Sequence, residues 1–281
     1  MKNIFLYCNT LKPQSKDIAI EIRAFLYSRG ANVITDDEQA VMLGATALSQ
    51  ADPKSIHYSI TLGGDGTILR LVHNHPEINA PILGINLGSL GFMADIPITE
   101  IYSSLEDLLD NKLTIQERLM IEGSSANNHT CFAVNDITFH RASNVSLIDI
   151  VIHVDGSYLN TFTADGIIIS TPCGSTAYSL AAGGPILTPE LNALIVTPIS
   201  PHTISNRPIV LMPQKKIEIQ YISERKPIEV SADGFISSQL STNGLFYVYP
   251  SKKRFKLVKL PQHDYYATLR TKLGWSGKLR V

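Results

Sequence analysis

The sequence predicts an α/β N-terminal domain with a Rossmann-like parallel sheet, followed by a β-rich, sandwich-like C-terminal domain. Strand and helix signals alternate in the first part of the chain, whereas short strands and turns dominate the rest. We therefore expect domains over residues 1–112 and 113–260, and a C-terminal segment, 261–281, that returns to the first domain. A chain of 281 residues is long enough for two hydrophobic cores.

The first domain opens with a buried strand and an amphipathic helix. The apolar run Ile4–Tyr7 is typical of a buried strand, and apolar residues recur at helical spacing over 18–26 before Gly30 ends the helix. Further strands are predicted at 32–35, 58–62 and 81–86, and further helices at 68–72 and 105–109. Because this alternation implies a parallel sheet, we expect ligands at the carboxyl ends of its strands.

The second domain shows the period-two pattern of strands. Residues 148–154 alternate, Asp155-Gly156 is a typical hairpin-turn pair, and 158–162 can return as the second strand. Further strands are predicted at 166–170, 194–197, 217–222, 228–232 and 245–249. One helix is predicted at 176–182, after a Gly-Ser-Thr step. The pattern favours a sandwich or layered sheets.

Composition and charge argue against several classes of protein. A formal net charge of -1 gives no support for general nucleic-acid binding, which needs a clustered basic excess. No stretch approaches the roughly 20 apolar residues of a spanning helix, and the N-terminal apolar run is too short for a signal peptide. Cys8, Cys131 and Cys173 are sparse, and neither they nor the eight histidines show metal-ligand spacing. We expect a cytoplasmic protein without nucleic-acid or membrane partners.

A glycine loop follows one predicted strand and contains a carboxylate, Asp65. Such loops bind phosphate because bare backbone N–H groups converge on its oxygens. The predicted phosphate loop consists of Gly63, Gly64, Gly66 and Thr67 around this acid. A carboxylate there would repel phosphate unless it holds a divalent cation or takes a proton from an attacking hydroxyl, and both roles point to phosphoryl transfer. The alternative is a tight turn in which Asp65 caps the helix, and Arg70, one turn later, could reach a phosphate or be solvated.

Two further segments could bind a nucleotide. Asn135-Asp136 follows an apolar strand and is either a turn or a pair of hydrogen-bonding groups for ribose and adenine. Residues 164–179 place an Asp-Gly pair, a strand, a Gly-Ser-Thr loop and a helix start in succession. That loop either caps the helix or lines a nucleotide pocket, in which Tyr178 offers a stacking face. Cys173 has no basic neighbour in the sequence, so we expect an inert thiol.

Taken together, these segments resemble the NAD kinases, which phosphorylate the adenosine 2′-hydroxyl of NAD to make NADP. The resemblance extends from the glycine loop to Leu273-Gly274-Trp275-Ser276 and is densest over 165–208. It implies an α/β first domain, a β-rich second domain and an active site between them, usually in a homo-oligomer, which would be a dimer or a tetramer. The substrates it implies are NAD and a phosphoryl donor, either ATP or another polyphosphate, with a divalent cation such as Mg²⁺ as the cofactor.

The resemblance also implies roles for individual residues. Asp65 is the proton acceptor, with Gly66 at the substrate, and Arg70 contacts nucleotide. Asn135 and Asp136 bind the ribose and adenine of NAD. The other implied NAD-binding positions are Asp165 on the nicotinamide side and Thr176, Ala177, Tyr178, Ser179, Leu180 and Ala181 along the adenine pocket.

Three positions depart from the usual pattern of that family. Cys173 stands where Thr is common and Thr163 where relatives are often basic, and both remain candidate NAD contacts. Phe235 replaces a common Gln after Asp233-Gly234, a pair that we interpret as a hairpin turn rather than as a ligand. None of the three departures removes the proposed base.

Two other functions remain as alternatives. Lipid kinases have a similar Gly-Gly-Asp-Gly loop, but the segment 165–208 and the lack of a membrane-binding stretch argue against one. A non-catalytic NAD or NADP sensor is the second alternative. The retained Asp65 argues against a sensor, because a sensor needs no base in its phosphate loop.

Overall fold

The chain forms two compact units. The computed structural model describes residues 1–126, 128–213, 215–261, 264–275 and 277. Unit 1 comprises Met1–Gln116 with Lys256–Val281, and unit 2 comprises Glu117–Phe255. Ser276 of the motif noted in the sequence lies outside the described residues, as do 262, 263 and 278–281 of the predicted C-terminal segment.

The helices and strands include those that the alternating and period-two patterns predict, together with others that the patterns did not indicate. Up to residue 113 they are β1 (Asn3–Cys8), α1 (Ser15–Ser28), β2 (Asn32–Thr35), α2 (Asp37–Leu43), β3 (Thr46–Ala47), β4 (Tyr58–Gly63), α3 (Asp65–Asn74), β5 (Ile82–Asn86), β6 (Ile96–Pro97) and α4 (Ile101–Leu109). They continue with β7 (Thr114–Ser125), β8 (Thr130–Ala133), β9 (Asp136–His140), β10 (Ile148–Val154), β11 (Ser157–Ala164), β12 (Gly166–Ser170), α5 (Tyr178–Ala181), β13 (Leu194–Ile199), β14 (Ile209–Leu211), β15 (Ile217–Tyr221), β16 (Ile228–Ala232) and β17 (Phe235–Leu240). The last described elements are β18 (Leu245–Lys259) and α6 (Tyr265–Leu273).

Unit 1 contains a parallel sheet in the order β3-β2-β1-β4-β5, and the end of β18 pairs in parallel with β5. Strands β1, β4 and β5 are buried along almost their whole length, as their apolar runs predict. The chain runs outward from β1 to β3 and then returns to β4 on the other side of β1. The strand order therefore reverses between β1 and β4, and this switch point leaves a crevice at the carboxyl ends of these two strands.

Unit 2 contains two antiparallel sheets that share one core. One sheet includes the order β11-β10-β15-β18, and the other has the order β14-β13-β12-β9-β16-β17. Buried side chains of both sheets form one cluster, in which the rings of Phe139 and Phe246 meet edge to face at 5.3 Å. The predicted β10–β11 hairpin is confirmed, with φ of 50° at Asp155 and 80° at Gly156. The predicted fold class is thus confirmed for each unit.

Two predicted elements differ from the structure. The helix predicted at 176–182 is confirmed only in part: a 3₁₀ turn, Cys173–Thr176, precedes the short helix α5, because Ala177, with φ of -98° and ψ of -131°, interrupts the helical backbone. The strand predicted at 245–249 is only the start of β18, whose exposed charged residues at 252–254 hide the strand pattern. Among the described residues, no helix has the length and apolar character to cross a membrane.

Candidate active-site residues

Asp65 lies where strand β4 gives way to helix α3. Strand β4 ends at Gly63, Gly64 follows it, and Asp65 is the first helical residue. The alternative in which Asp65 caps the helix is therefore wrong, because Gly64 occupies the N-cap position. The Asp65 carboxylate is thus available for contacts outside its own helix.

Three consecutive backbone N–H groups hold the Asp65 carboxylate. Its Oδ2 accepts a hydrogen bond from Phe92 at 2.9 Å, and its Oδ1 accepts from Met93 at 3.0 Å and from Ala94 at 2.8 Å. A carboxylate offers about four lone-pair positions, so these bonds leave one position on Oδ2. Oδ2 can therefore accept one further hydrogen, such as that of a substrate hydroxyl, without losing a loop contact.

The loop that holds Asp65 is shaped by Asn86 at the end of β5. The Asn86 amide donates to the carbonyl oxygens of Ser89 at 2.6 Å and Ala94 at 2.9 Å. Gly91 packs directly against the acid: a Cβ there would lie 2.1 Å from Oδ1 of Asp65. Only glycine fits this position, so the path of the loop and the placement of the carboxylate depend on each other.

The predicted phosphate loop has an open face. A Cβ on Gly64 or Gly66 would meet no atom of the described residues within 4 Å. The buried Thr67 hydroxyl is turned into the loop and accepts from the Gly64 N–H at 3.4 Å. Space beside the loop is therefore open to a ligand, while the Thr67 side chain supports the loop itself.

Two basic side chains lie beside this loop. Arg70, predicted from the sequence, donates from Nη2 to Oγ1 of Thr67 at 3.4 Å. Lys12, which the sequence alone did not identify, donates from Nζ to the Gly63 carbonyl at 3.3 Å. Lys12 lies in the loop after β1, which the switch point brings beside the loop after β4. A lysine after the first strand indicates an anion-binding residue only when the strand order is known. Both cations favour an anionic ligand at this end of the sheet.

In unit 2, Asn135 and Asp136 lie at the start of β9, and Asp233 holds their backbone. The Asp233 carboxylate accepts from the N–H groups of Val134 at 2.8 Å, Asn135 at 2.7 Å and Asp136 at 3.2 Å. The predicted Asp233-Gly234 hairpin turn joins β16 to β17, with φ of 51° at Asp233. The sequence thus identified the turn but missed that its acid positions the Asn-Asp pair.

Asp136 is a buried carboxyl group with an unusual acidity. Its pKa is raised to about 7, chiefly by burial and also by repulsion from Asp233. The Thr138 hydroxyl, which donates to Oδ1 of Asp136 at 3.1 Å, opposes this shift in pKa. Near neutral pH the carboxyl group therefore exists in both protonation states, so it can either donate or accept a hydrogen bond.

The segment 170–174 closes around Asn135. The Thr171 N–H donates to the Asn135 carbonyl at 2.8 Å, and the Ser170 hydroxyl donates to the same oxygen at 3.3 Å. A Cβ on Gly174 would lie 2.2 Å from that oxygen, so glycine is required there. The two segments that the sequence offered separately as nucleotide-binding candidates are therefore in contact within unit 2.

The segment predicted along the adenine pocket has an accessible side and a buried side. Tyr178 is 43% exposed, whereas Ser179 is fully buried and its hydroxyl lies 2.9 Å from that of Thr197. The Thr176 hydroxyl donates to the Cys173 carbonyl at 3.2 Å. The other predicted members of this segment are Ala177, Leu180 and Ala181, which are half-buried or exposed. A ligand can reach the Tyr178 ring, but the Ser179 hydroxyl is used inside the unit.

Asp165, just before β12, forms an ion pair that the sequence did not reveal. Its Oδ1 lies 2.7 Å from Nε of Arg141, and the two side chains are 27% and 30% exposed. The Arg141 guanidinium also donates to the Val145 carbonyl at 3.0 Å. Arg141 therefore places a positive charge directly beside the Asp165 carboxylate.

Two of the three departures from the family pattern, Thr163 and Cys173, have polar partners. The Thr163 hydroxyl donates to Oδ1 of Asp149 at 2.5 Å. The sulfur of Cys173 lies 3.3 Å from Nη1 of Arg118, a basic neighbour that is distant in sequence. The expectation that Cys173 has no basic neighbour thus applies along the chain but is wrong in space.

A divalent cation would find no dedicated cage among the described residues, which contain no group of three or more His, Cys, Asp or Glu side chains placed to hold a metal ion. Magnesium often binds through substrate phosphates and water with one or two carboxylates, and the open face of Gly64 and Gly66 leaves room for such phosphates. The single remaining lone pair on Oδ2 of Asp65 can serve a hydroxyl or a cation, but not both.

Two family models together match most of the chain. The model described as the ATP-NAD kinase N-terminal domain matches residues 4–113, and the one described as the ATP-NAD kinase C-terminal domain matches residues 134–260. The NAD kinase of Protochlamydia amoebophila is 58% identical over 278 residues, which cover 99% of this chain and 100% of that protein. The NAD kinase of Geotalea daltonii is 36% identical over 284 residues, with 99% and 100% coverage.

Solved structures show the same fold. Yeast NADH kinase complexed with NADH superposes with a TM-score of 0.89 at 26% identity, over 100% of this chain and 90% of that one. An NAD kinase from Archaeoglobus fulgidus in complex with ATP gives a TM-score of 0.75 at 23% identity, over 99% and 100% of the two chains. The second likeness bears on the fold alone.

Proposed function

We infer the function of this chain from the premise that the chain belongs to the NAD kinase family. It is a kinase that transfers a phosphoryl group from ATP to the 2′-hydroxyl of the adenosine ribose of NAD, and the product is NADP. The 58% identity to an NAD kinase over nearly the full length of both chains carries this conclusion. The roles of individual residues, the cation, the assembly and the cellular location are our proposals.

We propose that Asp65 is the base. As the 2′-oxygen attacks the γ-phosphorus, the O–H bond breaks and its proton passes to Oδ2 of Asp65. The new O–P bond forms while the bond from the γ-phosphorus to the β,γ-bridging oxygen breaks, and ADP leaves with that electron pair. The contacts of Phe92, Met93 and Ala94 support this role, because they fix the carboxylate and leave one lone pair on Oδ2.

The donor phosphates are proposed to lie on the open face of the glycine loop. Gly64 and Gly66 border this region, where a Cβ would meet no atom of the described residues within 4 Å, and Lys12 adds positive charge beside it. When bound, Mg²⁺ would neutralise charge on the donor phosphates. The same loop could take an inorganic polyphosphate, which is the alternative donor.

In unit 2, Asn135 and Asp136 are proposed to bind the ribose and adenine of NAD. Their placement by Asp233 supports this role, because a fixed backbone presents the side chains in one geometry. Asp165 is proposed to contact the nicotinamide side, with Tyr178 and its neighbours along the adenine.

We further propose a cytoplasmic homo-oligomer, a dimer or a tetramer. Cys8, Cys131 and Cys173 form no disulfide, which suits a reducing compartment. Light scattering coupled to gel filtration measures the assembly, and a monomer at micromolar concentration would contradict this part of the proposal.

One assay tests the function. Purified protein is incubated with NAD, Mg²⁺ and either ATP or inorganic polyphosphate, and NADP is measured enzymatically. A parallel reaction offers diacylglycerol in vesicles as the acceptor. We expect NADP with ATP and no lipid phosphorylation. Lipid phosphorylation without NADP would favour the lipid kinase, and nucleotide binding without turnover would favour the sensor.

A further inference from the structure

At the carboxyl end of β5, unit 1 contains a cavity of about 490 Å³. Its walls come from three segments: the loop over 86–90, the stretch 95–100 before helix α4, and helix α6 with its N-cap Asp264. Ligand pockets usually measure about 300–1,000 Å³, so the cavity has the volume of a binding site. None of the described residues that line it belongs to the glycine loop or to the set proposed to bind NAD.

We propose that this cavity binds a small organic polyamine, a flexible methylene chain with two or more ammonium groups, and that the bound polyamine stabilises the loop that holds Asp65. Charge is the first reason. Asp95, Glu100 and Asp264 line the cavity, and among its described lining residues none is Lys, Arg or His. Their negative potential attracts cations and repels the phosphates of ATP and NADP.

The placement of the three acids favours an organic cation over a metal ion. Among the residues that the structure describes, no three His, Cys, Asp or Glu side chains are grouped so that they could hold a metal. The carboxylates instead belong to two different walls, Asp95 and Glu100 to one and Asp264 to the other. A chain with separate ammonium groups can reach both walls, which one compact ion cannot do.

The other lining side chains suit the methylene part of such a ligand. Leu87, Leu90 and Ile98 contribute apolar surface to the cavity, and burial of methylene groups against it is favourable. The hydroxyl oxygens of Thr99 and Thr271, which line the same cavity, can accept hydrogen bonds from ammonium groups. An inorganic cation would gain nothing from the apolar surface.

Asp264 keeps capacity for an ammonium group. Its Oδ1 accepts from the Tyr266 N–H at 3.0 Å and so caps helix α6. Its Oδ2 lies 3.8 Å from Nη2 of Arg270, and the two side chains are 53% and 54% exposed. Ion pairs as exposed as this one are weak, so an ammonium group can take its place at Oδ2.

The cavity shares one loop with the residues that hold Asp65. Oδ1 of Asn86 accepts from the N–H of Gly88, which lines the cavity, at 2.6 Å. The Asn86 amide donates to the Ala94 carbonyl at 2.9 Å, and the Ala94 N–H donates to Asp65. A ligand that fits the cavity in this conformation of the loop favours that conformation over locally opened ones.

Three variants test the site with spermidine as the probe. Glu100→Gln and Asp264→Asn each remove one charge from a different wall, and Asn is still a good N-cap for α6. Thr99→Trp places a bulky ring on an exposed lining residue. Asp52→Asn, at an exposed N-cap outside the cavity, is the matched control. Urea unfolding establishes that each variant is folded.

Calorimetry measures binding, and hydrogen exchange at Met93 and Ala94 measures the stability of the loop. We expect the wild type to bind spermidine with a Kd below about 1 mM and not to bind triethylene glycol, an uncharged chain of similar length. Kd should rise roughly fivefold or more in each charge variant and roughly tenfold or more in Thr99→Trp. Asp52→Asn should match the wild type.

With spermidine at about ten times its Kd, exchange at Met93 and Ala94 should slow roughly tenfold in the wild type. The same concentration should leave exchange in Thr99→Trp unchanged. A wild-type Kd above about 1 mM, or equal binding by the wild type and all three cavity variants, would overturn the site. Unchanged exchange with spermidine bound would overturn its effect on the loop. Neither measurement uses NAD or ATP, so both outcomes are independent of the proposed function.

Discussion

Asp65 in unit 1 and Asp233 in unit 2 perform the same structural task in different surroundings. Each carboxylate accepts hydrogen bonds from three consecutive backbone N–H groups, those of residues 92–94 for Asp65 and 134–136 for Asp233. Asp65 borders the open face of a glycine loop, whereas Asp233 lies in a hairpin turn and repels the buried Asp136. The same arrangement thus has two roles. It orients the Asp65 carboxylate in unit 1, and it fixes the backbone of the Asn135-Asp136 segment in unit 2.

The largest effect among substitutions that leave Asp65 in place is expected for Gly91→Ala. The new methyl would lie 2.1 Å from Oδ1 of Asp65, so the carboxylate or its loop must move. A misplacement of about 1 Å can cost roughly a hundredfold in rate, and we expect at least that loss in kcat. Overpacking of this kind also costs about 1–3 kcal/mol of unfolding free energy. Initial rates of NADP formation and urea unfolding measure the two effects.

Gly64→Ala is the stability control for Gly91→Ala. A Cβ on Gly64 meets no protein atom within 4 Å, so its unfolding free energy should change by less than about 1 kcal/mol. If Gly91→Ala is as stable and as active as the wild type, then the contact between this loop and Asp65 does not position the carboxylate. Asp65 would then not share the structural task of Asp233.

The next effect is expected for Asp233→Asn. An amide can replace only one of the two accepting oxygens, so at least one of the three N–H groups loses its partner. A lost bond to a charged group costs about 1.5–3 kcal/mol. Because Asn135 and Asp136 are then less well fixed, we expect KM for NAD to rise by roughly tenfold while KM for ATP is unchanged. Steady-state kinetics with each substrate varied measures this split.

Asp155→Asn is the matched control, because Asp155-Gly156 is a second Asp-Gly hairpin turn with nearly the same backbone. The φ values are 50° and 80° there and 51° and 82° at Asp233-Gly234. Among the described residues, the Asp155 side chain pairs with the half-exposed Lys215 and accepts from the Lys216 N–H. If both variants raise KM for NAD equally, the turn matters and the carboxylate does not.

The acidity of Asp136 predicts a pH dependence of stability. The Asp136 carboxyl group has a pKa of 3.8 in the unfolded state and of about 7 in the folded state. Between these two pH values it is protonated in the native state but ionised in the unfolded state. The unfolded state then binds fewer protons, so stability falls as pH rises from about 4 to 7. Asp136→Asn cannot ionise. Its unfolding free energy should therefore improve relative to the wild type as pH rises from 5 to 8.

Urea unfolding of both proteins at pH 5 and pH 8 gives this difference directly. A difference that is the same at both pH values would mean that Asp136 is not a buried, protonated group. Asp233→Asn removes the repelling charge and should lower the pKa of Asp136, which moves the transition to lower pH.

The smallest effect is expected for Arg141→Gln. Its ion pair with Asp165 is about a third exposed, and such pairs contribute at most about 1 kcal/mol. We expect KM for NAD to rise by no more than roughly fivefold, with kcat unchanged. A loss of kcat beyond tenfold would mean that Arg141 contributes to the chemical step directly and does not act only through Asp165.

The sequence predicted what depends on neighbours in the chain. Apolar runs located the strands of unit 1, and the glycines around Asp65 marked the phosphate loop, because both signals lie within a few residues. Asp155-Gly156 and Asp233-Gly234 were recognised as turns for the same reason. The fold class followed from these local patterns.

The sequence did not predict what depends on contacts across the fold. Asp233 reaches the Asn135 N–H over 98 residues, and Arg118 reaches Cys173 over 55. The helix predicted at 176–182 is shortened to Tyr178–Ala181 because the backbone of Ala177 interrupts it, although the side chains there favour a helix. Lys12 could be recognised as a neighbour of the phosphate loop only when the order of β1 and β4 was known. This information depends on strand order and backbone conformation, which the residue types alone do not specify.

The central claim is that Asp65 accepts the proton of the attacking hydroxyl through the remaining lone pair on Oδ2. Asp65→Asn tests it, because an amide can keep the bonds from Met93 and Ala94 through Oδ1 but cannot accept a proton. Retained hydrogen-exchange protection at Met93 and Ala94 first establishes that the loop is intact. The deciding measurement is then kcat for NADP formation with NAD and ATP saturating. A fall of about 10²–10⁴-fold is predicted, and a kcat within tenfold of the wild type would contradict the claim.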